Sequence, residues 1–208
     1  MPGLVEPLVG LGVDARDEER GDGGHPPEVA AGKDPSGVAS VASFFVSRVD
    51  TEADRRLEEA GHTKLTGKLA IANAKLAYRH WQETFSGPRW EFLAAKGATK
   101  QRCLWASTST KNPKFRDVLY VEELIGPETV NTMPRETIEA FEDHGEVRNS
   151  LEEDVDGARR TLEAFAAAGI DYDDVVETLE KEGVEKFAKS FDQLFADVES
   201  KRDRLVAA

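Results

Sequence analysis

Two clusters that combine hydroxyl groups with a cation each follow an apolar run of the sequence. The first run ends in Ser43, Ser47 and Arg48, and the second ends in Ser107 and Lys111. A guanidinium or ammonium group beside hydroxyls suits a phosphate monoester, because these groups form short, charge-assisted hydrogen bonds to phosphate oxygens. The residue types therefore predict a phosphate-binding site.

Arg48 also has a plainer, structural interpretation. It could end its strand and form an ion pair with Asp50 or Glu52, both of which lie within four residues of it. The recurrence of hydroxyls and a cation after a second run favours the phosphate site. Both interpretations remain open at this point.

Other chemistry finds little support in the residue pattern. A Schiff-base lysine needs a dry pocket that lowers its pKa, and Lys111 lies among hydroxyls that suit anion binding better. The four histidines are dispersed, Cys103 lies inside an apolar run, and no glycine-rich phosphate loop is present. No metal or organic cofactor is predicted. The remaining candidate lysines are predicted to be solvated helix or loop positions: Lys64, Lys68, Lys75 and Lys100.

Three apolar segments predict the strands that position the two clusters. Residues 38–46 form a continuous run of small and β-branched residues, which is typical of a strand buried on both faces of a parallel sheet. Residues 101–107 and 129–133 predict two more strands. Helical patterns separate the three, so the order predicts an α/β fold with crossover connections. Ligands bind at the carboxyl ends of such strands, where both clusters fall.

The helices are predicted from apolar spacing and from start and stop residues. The first begins at Asp50 or Thr51 and ends near residue 60; others cover residues 66–85, 90–95, 117–125 and 135–141, the last ending at Gly145. From residue 151 onward three helices are expected, which end at Gly169, at Gly183 and near the C-terminus. The last carries an apolar stripe of Phe187, Phe191, Leu194, Phe195 and Val198.

Composition narrows the classes of function. The net charge of −13 argues against nucleic acid or an anionic membrane as partner. A single cysteine allows no intrachain disulfide, and no apolar run reaches the roughly 18 residues of a membrane span. A cytoplasmic protein is expected. Residues 1–33, dense in glycine and proline, are predicted to be a disordered or loosely attached lead-in to a unit formed by residues 34–208.

Three motifs give the chain a resemblance to a known family. They are SFFVSR at residues 43–48, LWASTSTKNP at residues 104–113 and TVNTMP at residues 129–134. Together with the helices between them, they resemble the last three barrel strands of a bacterial transaldolase. The resemblance covers residues 33 to the C-terminus. It implies a partial (β/α)8 TIM barrel, formed by the last three parallel strands and followed by C-terminal helices.

The resemblance also implies an activity. Transaldolases transfer a dihydroxyacetone unit from sedoheptulose 7-phosphate or fructose 6-phosphate to glyceraldehyde 3-phosphate or erythrose 4-phosphate, in the cytoplasmic pentose phosphate pathway, without a cofactor. In the family, the serine and arginine of the first motif hold the sugar phosphate, and these roles fall on Ser43 and Arg48. The basic residue of the second motif corresponds most nearly to Lys111, beside Ser107.

The chain departs from the family in one important respect. The family's catalytic lysine lies on an earlier strand in a Lys-Ile-Pro-Ala-Thr-like stretch, which this sequence does not contain. No catalytic residue is therefore predicted, and we expect a phosphate-binding portion without Schiff-base chemistry. Two alternatives remain: a non-catalytic partner protein that complements a missing barrel half, and Lys111 acting as a nucleophile. Open barrel edges could also lead to self-association.

Overall fold

The structure, a computed structural model, describes residues 34–206. The predicted lead-in, residues 1–33, lies outside the described residues, and so its boundary stays a prediction. Two short 3-10 turns occur at Pro35–Gly37 and Thr63–Leu65. The strands and α-helices of the described part are, in chain order, β1 (Val41–Phe45), α1 (Val46–Glu59), α2 (Leu69–Thr84), α3 (Pro88–Ala94), β2 (Arg102–Ala106), α4 (Leu119–Glu123), β3 (Val130–Asn131), α5 (Arg135–His144), α6 (Val155–Ala167) and α7 (Tyr172–Val206).

The three strands form one parallel sheet in the order β1-β2-β3. β1 pairs with β2 along all five residues, from Val41 opposite Arg102 to Phe45 opposite Ala106. β2 pairs with β3 only through Leu104–Val130 and Trp105–Asn131. The predicted α/β architecture, with three parallel strands joined by helical crossovers, is confirmed. The strands are shorter than the sequence predicted: residues 38–40 and 132–133 belong to no strand, although the Ser40 carbonyl accepts from the Arg102 N–H and the Thr132 N–H donates to the Trp105 carbonyl.

Among residues 34–206, helices cover only one face of this sheet. On that face Ala42, Phe44, Cys103 and Trp105 are at most 9% exposed, and they pack against α2 and α4 in one apolar cluster. On the opposite face Val41 is 45% and Phe45 is 44% exposed. The prediction that residues 38–46 are buried on both faces is wrong for this chain, because burial along β1 alternates. Cys103, at 0% exposed, is a core residue, in agreement with its place inside an apolar run.

A second apolar cluster joins the helices to one another. Leu57 of α1, Leu69 of α2, Phe165 of α6 and Val175 of α7 are each at most 1% exposed and belong to this cluster. Gly169 follows α6 with a φ of 78° and donates its N–H to the Ala166 carbonyl, which fits its predicted role in ending the helix. These contacts fix the first turns of α7 against α1 and α2.

The C-terminal part differs from the prediction, because α7 is a single helix of 35 residues. Gly183 was expected to end one helix and instead lies inside α7. A glycine in a helix interior costs only about 1 kcal/mol relative to alanine, and the flanking Glu and Lys residues favour the helix. No helix within residues 34–206 is both long and apolar enough to span a lipid bilayer.

Candidate functional site

The site begins where β1 passes directly into α1. The strand ends at Phe45 and the helix starts at Val46, so Ser47 and Arg48 lie in the first helical turn. The sequence had predicted a helix start at Asp50 or Thr51. That prediction is wrong, because Thr51 donates its hydroxyl proton to the Ser47 carbonyl inside the helix, at 2.6 Å, rather than capping the first turn. Phe45, the N-cap residue, provides no side-chain hydrogen bond that a sequence pattern could reveal.

Ser47 and Ser107 join the ends of β1 and β2. The Ser47 N–H donates to the Ser107 carbonyl at 3.0 Å, and the two hydroxyl oxygens lie 2.8 Å apart. Ser107 has a φ of 58°, a left-handed conformation that is uncommon for a residue other than glycine. Non-glycine residues held in this region often occur at functional sites. The two contacts to Ser47 hold Ser107 in this strained conformation.

Three of the four predicted site residues line one cavity at these strand ends. The cavity has a volume of about 650 Å³, and its lining includes Arg48, Ser107 and Lys111 together with Ser47. The fourth, Ser43, lies on β1 and lines a second cavity of about 740 Å³, which also includes Arg48. The structure therefore brings Arg48, Ser107 and Lys111 together, and connects them to Ser43 through Arg48.

Neither of the two predicted cations, Arg48 and Lys111, forms an ion pair with another described residue. The Arg48 guanidinium lies 4.5 Å from the centre of the Phe45 ring and forms no ion pair within residues 34–206. The interpretation that Arg48 pairs with Asp50 or Glu52 is therefore wrong. Glu52 binds two arginines of its own helix instead. The Lys111 Nζ donates to the Ser109 hydroxyl at 2.8 Å.

Helix α7 forms a further wall of the same cavity, which sequence reasoning missed. Its Glu182, Lys186 and Ser190 line the cavity, and the Lys186 Nζ lies 2.7 Å from Glu182. These residues are about 140 positions from Arg48 along the chain. The only available signal was their place on a helix with an apolar stripe, which says nothing about the strand ends that the helix approaches.

Two buried carboxyl groups of α1 hold the neighbouring elements in place. Asp50, 1% exposed, accepts hydrogen bonds from the Ala70 N–H and from the Tyr120 hydroxyl, each at 2.8 Å. Burial raises the pKa of Asp50 and also that of Tyr120. Asp50 thus caps the start of α2, not its own helix. It fixes the orientation of α1, the helix that carries Arg48.

Asp54, one turn further along α1, binds the loop before α2. It accepts a hydrogen bond from the Gly67 N–H at 2.9 Å. Burial, together with the nearby charges of Asp50 and Glu58, raises the pKa of Asp54 to about 6. Gly67 has a φ of +73°, and a Cβ there would lie 2.7 Å from the Phe115 ring, so glycine is required for this close approach.

The prediction that Lys75 is a solvated lysine is wrong. Its side chain is only 10% exposed, and the Nζ lies 3.3 Å from both Glu123 and the Glu153 carbonyl. It joins α2 to α4 and to the segment before α6, and it lines neither strand-end cavity. Within the described part of the chain, no group of three or more His, Cys, Asp or Glu side chains could hold a metal ion.

Comparison with known proteins shows which family this chain belongs to. The model of the family described as Transaldolase/Fructose-6-phosphate aldolase matches residues 25–198. The chain belongs to this family. The resemblance carried by the three motifs is thereby confirmed, and the three parallel strands are consistent with part of a TIM barrel.

Individual relatives agree with the family match. The chain is 56% identical over 179 residues to the transaldolase of Acidothermus cellulolyticus, a match that covers 85% of this chain and 48% of the relative. It is 54% identical over 174 residues to the transaldolase of Frankia alni, covering 82% and 47%. The transaldolase of Mycolicibacterium smegmatis is 50% identical over 177 residues, covering 83% and 48%. The chain spans about half the length of these curated relatives, corresponding to their C-terminal portion.

Proposed function

We propose that the strand-end cavity binds the phosphate group of a sugar phosphate, and that the chain provides the phosphate-binding side of a transaldolase. The observation that carries this proposal is the single cavity lined by Arg48, Ser107 and Lys111. Residues 63 positions apart in sequence contribute a guanidinium, a hydroxyl and an ammonium group to that one space.

The electrostatics of the cavity favour a phosphate. Among residues 34–206, neither Arg48 nor Lys111 forms an ion pair with an acid. The cavity lining carries three cations, Arg48, Lys111 and Lys186, and two carboxylates, Glu52 and Glu182, so a positive excess remains for an anion. Arg48 also lies in the first turn of α1, a turn without acidic residues, where the helix dipole favours negative charge. The Ser107 hydroxyl adds a donor for phosphate oxygens, and the Ser43 hydroxyl lies in the neighbouring cavity that shares Arg48. The lining is thus locally positive although the whole chain carries a net charge of −13.

The proposed role in the reaction is to hold the substrate. In the whole enzyme, a dihydroxyacetone unit passes from sedoheptulose 7-phosphate or fructose 6-phosphate to glyceraldehyde 3-phosphate or erythrose 4-phosphate. Arg48 and Lys111 fix the phosphate end of each sugar, which orients its carbonyl carbon towards the reacting groups. The lysine that forms the Schiff base belongs to the part of the barrel that this chain does not span.

Equilibrium titration with fructose 6-phosphate tests the binding role. We expect the chain to bind fructose 6-phosphate and not fructose, because the phosphate provides most of the interaction. Replacing Arg48 by methionine should weaken binding by about 10-fold to 100-fold, the loss expected for a charged hydrogen bond. Arg89→Met, at an exposed position of α3, is the matched control and should bind as the wild type does. Equal binding by the Arg48 and Arg89 variants would contradict the proposal.

Borohydride trapping tests whether a lysine of this chain forms the Schiff base. After incubation with fructose 6-phosphate and borohydride, intact mass should show no adduct on this chain alone, because Lys111 and Lys186 of the cavity serve as cations. A stoichiometric adduct would contradict this assignment. Peptide mapping would then identify the lysine that forms the imine, with Lys111 as the first candidate.

A further inference from the structure

Lys111 lies in the middle of a loop that other elements hold in place. This loop, called the Lys111 loop, consists of residues 107–118 and connects β2 to α4. Near its start, Ser107 is bound to Ser47, and the Thr108 hydroxyl donates to the Asn131 side-chain oxygen at 2.8 Å. Lys111 itself is exposed. Its place in the strand-end cavity therefore depends on how the rest of the loop is held.

A tight turn links Lys111 to Phe115. The Phe115 N–H donates to the Asn112 carbonyl at 3.1 Å, and the Lys114 N–H donates to the Asn112 side-chain oxygen at 3.0 Å. Pro113 occupies the second position of this turn, where its fixed φ favours a β-turn. The turn is therefore stiff, and a displacement of Phe115 is passed on to Asn112 and to Lys111 directly before it.

The Phe115 ring packs against the backbone of Gly67, in the segment between α1 and α2. A Cβ built on Gly67 would lie 2.7 Å from the Cζ of the ring and 3.0 Å from each Cε. The outer end of the ring thus occupies the space that a side chain at this position would need. The Asp54 carboxyl accepts the Gly67 N–H at 2.9 Å and fixes this piece of backbone. The Lys111 loop is in this way held against α1 through Phe115, Gly67 and Asp54.

Open space lies between α1 and the Lys111 loop on the side of the loop away from the phosphate. A cavity of about 230 Å³ is lined there by residues that include Asp54, Lys111, Asn112 and Phe115. Lys111 also lines the strand-end cavity that contains Arg48, so it lies between the two spaces. Because the loop has room to move towards α1, the contact of Phe115 determines how Lys111 is placed.

We propose that Gly67 is a positioning residue of the phosphate site: its bare backbone seats the Phe115 ring, and the seated ring keeps Lys111 in the strand-end cavity. This inference rests on the proposed phosphate-binding function and adds a residue that does not line that cavity. A simpler explanation would be that Gly67 is needed only for its φ of +73°. Gly61 separates the two explanations. It has a φ of +78° in the same segment, and no described atom lies within 4 Å of a Cβ built there.

Gly67→Ala and Gly61→Ala are the matched pair for the test. Both replace a glycine of positive φ, so both should lose stability to a similar extent, which urea unfolding measures. In titrations with fructose 6-phosphate, Gly67→Ala should bind about 10-fold more weakly, the loss expected when the Lys111 charge is displaced, and Gly61→Ala should bind as the wild type does. Adding Phe115→Leu to Gly67→Ala should restore most of the affinity, because leucine lacks the Cζ and Cε atoms that the new methyl group would meet.

Two further measurements distinguish a positioning role from a general loss of stability. Lys111→Met should weaken binding by about 10-fold in the wild type and by less than about 3-fold in the Gly67→Ala background. Arg48→Met should weaken binding by the same factor in both backgrounds. Amide hydrogen exchange, followed by NMR without any ligand, should be faster at the Phe115 N–H in Gly67→Ala than in Gly61→Ala, because the turn that protects it is loosened.

Each outcome decides the inference. Weaker binding by Gly67→Ala alone, with a diminished effect of Lys111→Met and recovery by Phe115→Leu, supports it. Equal binding by the two glycine variants, equal exchange at Phe115, or a full effect of Lys111→Met in the Gly67→Ala background overturns it and leaves the phosphate site intact. If the wild type does not bind fructose 6-phosphate, the proposed function and the positioning role fail together. Amide exchange at Phe115 then shows whether Gly67 still holds the loop.

Discussion

The two faces of the sheet are built from the same strands and differ in what they touch. Phe44 and Phe45 are consecutive residues of β1, yet Phe44 is 9% exposed and packs against Trp105, while Phe45 is 44% exposed and contacts Arg48. The covered face provides the core of this chain. The opposite face, which no described helix covers and which is called the bare face, carries Ser43 and leads to the cations at the strand ends. The proposed binding residues therefore lie where this chain contributes least to its own stability.

Replacing Phe44 and Phe45 by alanine, one at a time, is the most direct test of this comparison. Phe44→Ala should lower the free energy of unfolding by about 3–5 kcal/mol, because it leaves a cavity in the core. Phe45→Ala should lower it by less than about 1 kcal/mol, because its side chain is already 44% exposed and its main described contact is with Arg48. Urea unfolding followed by circular dichroism measures both changes. Equal losses would show that the bare face is covered in solution.

Asp50 connects the covered face of the sheet to the candidate site. Its replacement should have the next largest effect on the free energy of unfolding. Asp50→Ala leaves the Tyr120 hydroxyl and the Ala70 N–H without their acceptor, at a cost of about 2–4 kcal/mol in unfolding free energy. Asp192→Ala, at an exposed position of α7, is the control and should change stability by less than about 0.5 kcal/mol. If the two variants unfolded at the same urea concentration, Asp50 would not hold α2 in place.

The sequence predicted the strands and helices well, but it predicted where they begin and end poorly. Apolar runs and glycine breaks predicted all three strands and the order of the helices. The start of α1 was missed because Phe45 caps it without a side-chain hydrogen bond. The two final helices proved to be one, because Gly183 alone does not outweigh the helix-forming residues around it.

Sequence reasoning could predict only those residues of the candidate site that follow the strand ends. Arg48, Ser107 and Lys111 follow apolar runs, and parallel strands bring their carboxyl ends to one edge. Lys186 could not be found this way, since no local pattern reveals that α7 turns back over the end of β1. The bare face was also unpredictable, because an apolar run looks the same whether its second face is covered by this chain or by another.

The pH dependence of the free energy of unfolding tests the role of the buried Asp54 carboxyl of α1. Burial raises the pKa of Asp54 to about 6. Between about pH 4 and pH 6 the folded state therefore keeps a proton that the unfolded state has lost, and the free energy of unfolding falls as the pH rises through this range. Asp54→Asn keeps an acceptor for the Gly67 N–H and cannot ionise. Relative to the wild type, its unfolding free energy should rise across this range by about 1–2 kcal/mol, less than the full shift implies because the carboxyl borders solvent. Urea unfolding at pH 4, 5, 6 and 7 measures this difference, and a constant difference would contradict the raised pKa.

The smallest expected effect concerns the strained link between the two strand ends. Ser107 has a φ of 58° and a hydroxyl contact of 2.8 Å to Ser47. Ser107→Ala and Ser107→Gly both remove that contact, but only glycine relieves the backbone strain. The glycine variant should therefore be more stable than the alanine variant by about 1 kcal/mol. If the phosphate site depends on this rigid turn, the glycine variant should nevertheless bind fructose 6-phosphate no better than the alanine variant, because the added freedom must be lost again on binding. A glycine variant that is both more stable and tighter binding would show that the strain has no role in the site.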